Sequence, residues 1–95
     1  KNKYPHRVPI IVEKAKNCTL SDPDKKKYLV PNDMNISQFI YIIRRRINLK
    51  PEEALFITIN NMLPESNTPL FQIYERHKDK DGFLYITYSS ENTFG

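Results

Sequence analysis

The stretch NISQFIYIIRRRI, residues 35–47, predicts the helix around which the rest of the fold is arranged. Asn35 is a favourable N-terminal cap, and Gln38 follows it by three residues, which is the spacing of a capping box. Residues 44–46 are arginines in the last turn, where cations meet the negative end of the helix dipole. One face carries apolar residues every three or four positions and is predicted to enter the core: Ile36, Phe39, Ile40, Ile43 and Ile47.

Two strands are predicted before this helix. Residues 7–13 (RVPIIVE) are rich in β-branched side chains, and Pro9 restricts this strand to a sheet edge or to the start of a strand. Residues 27–30 (KYLV) predict a second, short strand that stops at the turn residues 31–33 (PND). The polar segment 17–26 between them is expected to be a loop.

The chain after the helix predicts two more strands and a second helix. Residues 51–53 (PEE) suggest a single helical turn, and residues 54–59 (ALFITI) a third strand. Thr68 is predicted to cap the second helix, with Pro69 at its first position. The inner face of that helix is expected to carry Leu70, Ile73 and Tyr74, and the final strand to span residues 83–88 after an Asp-Gly turn at 81–82.

The order of elements, β-β-α-β-α-β, predicts an α+β fold of the β-grasp, or ubiquitin-like, type. It would contain a four-stranded mixed sheet and two helices, in one domain spanning residues 1–95. A chain of 95 residues with 39% hydrophobic content suits one small core. A single cysteine and the lack of any signal peptide or long apolar run favour a cytosolic or nuclear protein.

Catalytic chemistry is not expected from these residues. His6 and His77 are isolated in the sequence, and Cys18 lies in a polar loop without a recognisable signature. The two glycines, Gly82 and Gly95, cannot form a phosphate-binding loop, and there is no zinc-ligand spacing. The sequence therefore favours a binding protein without a cofactor or a metal. The net charge of +4 and pI near 9.2 favour acidic partners.

A basic and apolar segment, KKKYLVP at residues 25–31, is the first candidate binding site. If the strand lies at a sheet edge, a peptide can add to it as a further strand, with its acidic residues beside the lysines. The same lysines would equally protect an open edge from aggregation. Ile42 lies off the apolar stripe of the helix, near Met34, where it is either part of a pocket or a peripheral core residue.

The C-terminal Gly95 is the second candidate site, because a glycine that follows a polar tail (89–94) is an accessible chemical handle. A frayed domain end would look the same.

Long blocks of the sequence resemble the GABARAP branch of the autophagy ubiquitin-like modifiers. The blocks cover nearly the whole chain: residues 4–15 (YPHRVPIIVEKA), 24–31 (DKKKYLVP), 38–39 (QF), 44–47 (RRRI), 54–56 (ALF), 60–61 (NN), 84–86 (LYI) and 88–89 (YS). The resemblance implies that Gly95 is exposed by a processing cysteine protease, passed along activating and conjugating enzymes, and joined to phosphatidylethanolamine on the autophagosome membrane. Two acyl chains give a stable anchor where one is marginal.

The resemblance also implies a binding site for receptor and cargo motifs of the form aromatic-x-x-aliphatic, usually preceded by acidic residues. The aromatic pocket would comprise Pro9, Ile11, Lys27, Leu29 and Phe83. The aliphatic pocket would comprise Tyr28, Val30, Pro31, Met34, Phe39 and Ile42. Contacts to the acids or backbone of the motif would come from Arg7, Lys25 and Arg46.

Two departures from the family pattern are evident. Family members begin with an extension of two short helices, which is expected to be largely absent here because the chain starts near its end; Ile11, Phe83 and Tyr85 would then be unusually exposed. Ile57 and Thr58 stand where relatives are more aromatic, which weakens the case for a separate binding surface on that strand. The alternative function is a non-conjugated β-grasp module for acidic partners such as tubulin tails or RNA, and nucleic acid is the least favoured partner because no RNA-binding motif is present.

Overall fold

The structure is a computed structural model that describes residues 6–16, 18, 20–23 and 25–90. The predicted order of elements is confirmed, with somewhat different bounds for the strands. The elements are β1 (Arg7–Lys14), β2 (Lys27–Pro31), α1 (Ile36–Arg46), β3 (Phe56–Thr58), α2 (Leu70–His77) and β4 (Leu84–Ser89).

The strands form one mixed sheet in the order β2-β1-β4-β3. Strand β1 is antiparallel to β2 and parallel to β4, while β3 is antiparallel to β4. The predicted β-grasp architecture is therefore confirmed, and β2 is an edge strand.

Pro9 shows why β1 can be an internal strand despite its proline. The parallel ladder with β4 begins only at the pair Ile10 and Leu84, one residue after Pro9. The missing N–H of Pro9 is thus not needed by that ladder. The sequence allowed either that β1 lies at a sheet edge or that Pro9 lies at the start of the strand. The sheet edge is wrong, and Pro9 lies near the start of β1.

The core lies between the sheet and the two helices, and α2 contributes Leu70 and Ile73 to it. Alternate residues of the strands face inward, and the stripe predicted for the helix faces them, with Ile40 only partly buried. Burying each such side chain contributes about 1.5–3 kcal/mol, so this face fixes the register of the sheet. The largest fully buried side chains are Tyr88, Phe39, Ile10, Ile36, Ile43, Leu70, Leu84, Ile86, Val8 and Val12.

Helix α1 begins with the capping box that the sequence predicts. The Asn35 side-chain oxygen accepts a hydrogen bond from the Gln38 backbone N–H at 3.0 Å, and the Asn35 N–H donates to the Gln38 side-chain oxygen at 2.9 Å. The three arginines occupy the last turn as expected. The capping box thus satisfies the N–H groups of Asn35 and Gln38 locally. The first two N–H groups of the helix, those of Ile36 and Ser37, donate to the Thr68 and Ser66 carbonyls at 3.2 and 2.9 Å.

Helix α2 is capped differently from the prediction. Thr68 is not its cap; Pro69 occupies the N-cap position with extended backbone angles and no side-chain capping bond. Instead, Leu70 N–H donates to the Met34 carbonyl at 2.8 Å and Phe71 N–H to the Asn32 carbonyl at 3.0 Å. The backbone of the turn after β2 therefore satisfies two orphan donors of this helix, which makes a side-chain cap unnecessary.

The segment between α1 and β3 is a hydrogen-bonded turn and not the predicted single turn of helix. Glu53 N–H donates to the Lys50 carbonyl at 3.0 Å, and the Glu53 carboxylate accepts from Lys50 N–H at 2.9 Å. Arg44 closes it by donating to the Lys50 carbonyl at 2.9 Å. Beyond it, Ile57 and Thr58 are both buried in β3, so neither offers a binding surface.

Candidate functional site

The free edge of β2 presents backbone hydrogen-bonding groups to solvent. Lys26 C=O accepts from Val12 N–H at 2.8 Å, and Asn32 N–H donates to the His6 carbonyl at 3.1 Å. The backbone N–H and C=O groups of even-numbered residues in this segment therefore face β1. Successive residues of a strand point their backbone groups to opposite sides. The N–H and C=O groups of Lys27 and Leu29 therefore face away from β1, on the side where no further described strand lies.

Residues predicted for the aromatic pocket lie together on the outer face of the sheet, away from the helices. Pro9 pairs with Leu29 and Ile11 pairs with Lys27 across β1 and β2. The Lys27 ammonium lies 5.5 Å from the centroid of the Phe83 ring. Leu29 keeps 38% of its surface exposed. The structure thus brings all five predicted residues to one surface.

Apart from Pro31, which shares the outer face with Lys27 and Leu29, the residues predicted for the aliphatic pocket lie on the opposite, helix-facing side of β2. Tyr28 and Val30 point inward, and the Tyr28 ring meets the Phe39 ring edge-on with centroids 5.8 Å apart. Phe39 is 0% exposed, so it packs against Tyr28 within the core and does not reach solvent. Met34 and Ile42 are partly buried against the core, and Pro31 at the end of β2 is exposed.

Positive charge surrounds the open edge. The Arg7 guanidinium donates to the Leu29 carbonyl at 3.5 Å, and the Lys25 ammonium lies 5.0 Å from the centroid of the Tyr28 ring. Arg46 is exposed in the last turn of α1, one helical turn after Ile42, so both residues share one face. The residues predicted to contact acids thus lie on either side of β2 and on the adjacent helix.

The outer face of the sheet is less exposed than predicted. Ile11, Phe83 and Tyr85 are each partly buried. Lys27 covers Phe83, and the Tyr85 hydroxyl donates to the Asp81 carboxylate at 2.5 Å. That hydrogen bond lowers the pKa of Asp81 and raises the pKa of Tyr85 to about 12. Neighbouring side chains, not solvent, therefore contact much of this face.

The second predicted site, Gly95, lies outside the described residues, as do residues 1–5, where the family's N-terminal extension would join the chain. Of the residues considered for catalysis, Cys18 is buried and its sulfur accepts from the Leu20 N–H at 3.4 Å. His77 Nδ1 lies 2.8 Å from the Asn60 side-chain nitrogen. In the part of the chain that is described, no cluster of His, Cys, Asp or Glu could hold a metal ion, and no helix has the length and apolar character needed to span a bilayer.

One exposed aromatic residue near this site was missed by sequence reasoning. Phe71 stands in the first turn of α2, retains 47% of its surface exposed, and is tied through its N–H to Asn32 just beyond β2. An apolar residue outside the stripe of an amphipathic helix is the signal that could have identified it, as it identified Ile42. A separate depression lies between the segment after β3, which contributes Leu63, and α2, which contributes Ile73 and Arg76.

Comparison with known proteins supports one family. All 95 residues match the family model described as "Autophagy protein Atg8 ubiquitin like". Autophagy-related protein 8d of Arabidopsis thaliana is 54% identical over 95 residues, which are 100% of this chain and 79% of the relative. Autophagy-related protein 8 of Candida glabrata is 54% identical over 93 residues, which are 98% of this chain and 79% of the relative.

Solved structures agree with these sequence matches. The crystal structure of Trypanosoma brucei ATG8 matches with a TM-score of 0.87 and 43% identity, over 98% of this chain and 80% of that one. Plasmodium falciparum Atg8, solved in complex with a Plasmodium falciparum Atg3 peptide, matches with a TM-score of 0.84 and 37% identity, over 94% of this chain and 80% of that one.

Proposed function

We propose, from the premise that the chain belongs to the Atg8 family of ubiquitin-like autophagy proteins, that its β2 edge binds short aromatic-x-x-aliphatic motifs. We propose further that the chain is conjugated through Gly95 to phosphatidylethanolamine. The first activity would select receptors and cargo, and the second would bring them to the autophagosome membrane.

The arrangement of the two pockets carries the proposal for motif binding. Side chains of an extended peptide alternate between two faces, so positions one and four of a motif point in opposite directions. Around β2, the aromatic-pocket residues Pro9, Ile11 and Leu29 lie on the outer face, whereas Tyr28 and Val30 lie on the helix-facing side. A peptide added to the edge would therefore place its aromatic residue on one face and its aliphatic residue on the other, three residues apart.

Backbone hydrogen bonds would supply the affinity for such a peptide. The N–H groups of Lys27 and Leu29 and the C=O group of Lys27 face the open side of the sheet, where a further strand can pair with them. The Leu29 C=O faces the same side and already accepts from the Arg7 guanidinium at 3.5 Å. Pro31 has no N–H, so the ladder cannot gain another donor at that position. This restricts the paired segment to about the length of one four-residue motif, with a rise of about 3.3 Å per residue.

Charge would favour motifs with acidic residues before the aromatic one. Lys25, Lys26 and Lys27 are exposed at the start of β2, close to the aromatic pocket. Attraction between these lysines and peptide carboxylates speeds association and weakens as salt rises.

Peptide binding measured by fluorescence anisotropy tests this half of the proposal. A labelled peptide with two acids before an aromatic-x-x-aliphatic motif should bind in the micromolar range, and alanine at either motif anchor should raise the Kd by about tenfold or more. Moving the aliphatic residue by one position, which sends it to the wrong face, should weaken it comparably. If the shifted motif binds as well as the original, the two-face model is wrong.

The proposal for conjugation rests on the family and on the glycine at the matching position. It implies a processing cysteine protease, an activating enzyme and a conjugating enzyme as partners. The relative solved with an Atg3 peptide supports contact with conjugation enzymes. A diacyl lipid joined through an amide gives a durable anchor, because each buried methylene contributes about 0.8 kcal/mol.

Gly95→Ala tests conjugation separately from motif binding. A methyl group on the terminal residue obstructs the approach of nucleophiles and the fit to a narrow enzyme cleft. We expect the variant to lose the lipid adduct, measured by mass spectrometry of the C-terminal peptide, and to lose punctate membrane recruitment in cells. The variant should bind the motif peptide like the unmodified sequence. Membrane recruitment that survives the substitution would refute the role of Gly95.

A further inference from the structure

We propose that Phe71 forms a third contact position for bound peptides, for an apolar side chain two or three residues after the motif's aliphatic residue. This inference rests on the proposed function, because it extends the peptide that the β2 edge would hold. Phe71 would act as a specificity-determining residue and would distinguish partners that share the core motif.

The hydrogen bonds of α2 place Phe71 just beyond the end of β2. Its N–H donates to the Asn32 carbonyl at 3.0 Å, and the preceding Leu70 N–H donates to the Met34 carbonyl at 2.8 Å. Asn32 immediately follows Pro31, and Met34 belongs to the aliphatic pocket. The first turn of α2 is therefore hydrogen-bonded to Asn32 and Met34, at the end of β2 where the aliphatic pocket is predicted.

The direction of the bound peptide follows from the order of the pockets along β2. The aromatic pocket uses Lys27 and Leu29, and the aliphatic pocket uses Pro31 and Met34, so the motif runs in the same direction as β2. At about 3.3 Å per residue, two or three further residues advance the peptide by about 7–10 Å past the aliphatic position. That advance takes the peptide along the turn after Pro31 and toward the first turn of α2.

The chemistry of this region selects the occupant. Phe71 is 47% exposed although most phenylalanines in a domain of this kind enter the core, so its ring offers an apolar contact surface. The adjacent turn exposes Asp33, whose carboxylate disfavours an acidic peptide residue. The charge of the protein therefore changes along the site. Lysines lie where the acidic residues of the peptide would bind, and Asp33 lies at the end where the peptide would carry an apolar residue. An aromatic or aliphatic side chain fits this end best.

A double-mutant cycle tests the third position. The first peptide contains only the acids and the four-residue motif, and the second continues for three residues with a leucine or phenylalanine at the proposed place. We expect the extended peptide to bind about three- to tenfold more tightly than the same peptide with alanine there. Phe71→Ala should remove that gain and change the affinity for the short peptide less than twofold. Phe71→Leu should restore part of it.

Leu63→Ala is the matched control, because Leu63 is 54% exposed and lines the depression beside Ile73 and Arg76 of α2, not the turn after β2. It should leave both affinities unchanged. Equal losses for the short and extended peptides in Phe71→Ala, or no gain from the extension, would overturn the third position while leaving the proposed function intact. Failure of the short peptide to bind the unmodified protein would refute both.

Discussion

Leu29→Pro isolates the contribution of one backbone donor at the open edge of β2. The N–H of Leu29 faces away from β1, because the neighbouring strand is bonded by the even-numbered residues of this segment, as at Lys26 and Asn32. Proline is tolerated in an edge strand where its nitrogen faces solvent, and Pro31 already occupies the next such position. The fold should therefore survive, with a stability loss of about 1 kcal/mol.

The effect on binding should be larger than the effect on the fold. Without the donor at residue 29, a peptide carbonyl loses its partner as it is buried at the edge, which costs about 1–3 kcal/mol. This corresponds to about a 5- to 150-fold increase in Kd. Leu29→Ala is the matched control, since it removes the same side chain from the aromatic pocket but keeps the N–H. The difference between the two variants measures the backbone bond.

Fluorescence anisotropy with the acid-flanked motif peptide, together with thermal unfolding of each variant, checks this prediction. The proline variant should bind at least fivefold more weakly than the alanine variant while both unfold cooperatively. Equal affinities for two folded variants would show that the peptide does not pair with this donor, and strand addition at β2 would be refuted.

Two further predictions concern the framework. Asn35→Ala removes the cap of α1 and should cost about 1 kcal/mol, or about 4–8 °C in Tm, measured against the exposed-loop control Asn67→Ala; equal Tm values would contradict the capping role. Tyr88 is buried, donates to the Ser21 carbonyl at 2.6 Å, and has its pKa raised by burial from 10.0 to about 12. Its neutral hydroxyl therefore stabilises the fold fully below pH 10, and this contribution is lost as pH rises toward 12. Tyr88→Phe should be less stable at pH 7 by about 1 kcal/mol and decline less steeply above pH 10 in urea denaturation; an unchanged slope would contradict this assignment.

Local sequence signals were sufficient to predict the features that depend on contacts between residues close together in the sequence. The capping box of α1 and its apolar stripe are both set by residues three or four apart, and both were predicted from spacing. The cap of α2 was not predictable, because the acceptors for Leu70 and Phe71 come from Asn32 and Met34, more than thirty positions away. Such a bond leaves no pattern in the neighbouring sequence.

The site was predicted in part from composition and in part from resemblance. Composition identified the lysine-rich strand, but could not separate a binding edge from a protected one. The resemblance named the pocket residues, and the sheet register then placed Pro9 opposite Leu29 on one face. Phe71 was missed because its proximity to β2 arises from the packing of α2 and not from its position in the chain.

The sequence by itself determined the order of elements, the buried face of α1 and the family to which the chain belongs. These properties depend on the periodicity of apolar residues, on helix caps and on the order of residue types, all of which can be read from the sequence. The tertiary structure decided that β2 is an edge strand and that Lys27 and Leu29 turn their backbone groups outward. It also decided that Leu29, predicted for the aromatic pocket, and Tyr28 and Val30, predicted for the aliphatic pocket, lie on opposite faces. Those properties depend on which strands pair and in what register, and pairing is selected by burying one face of the sheet against α1 and α2.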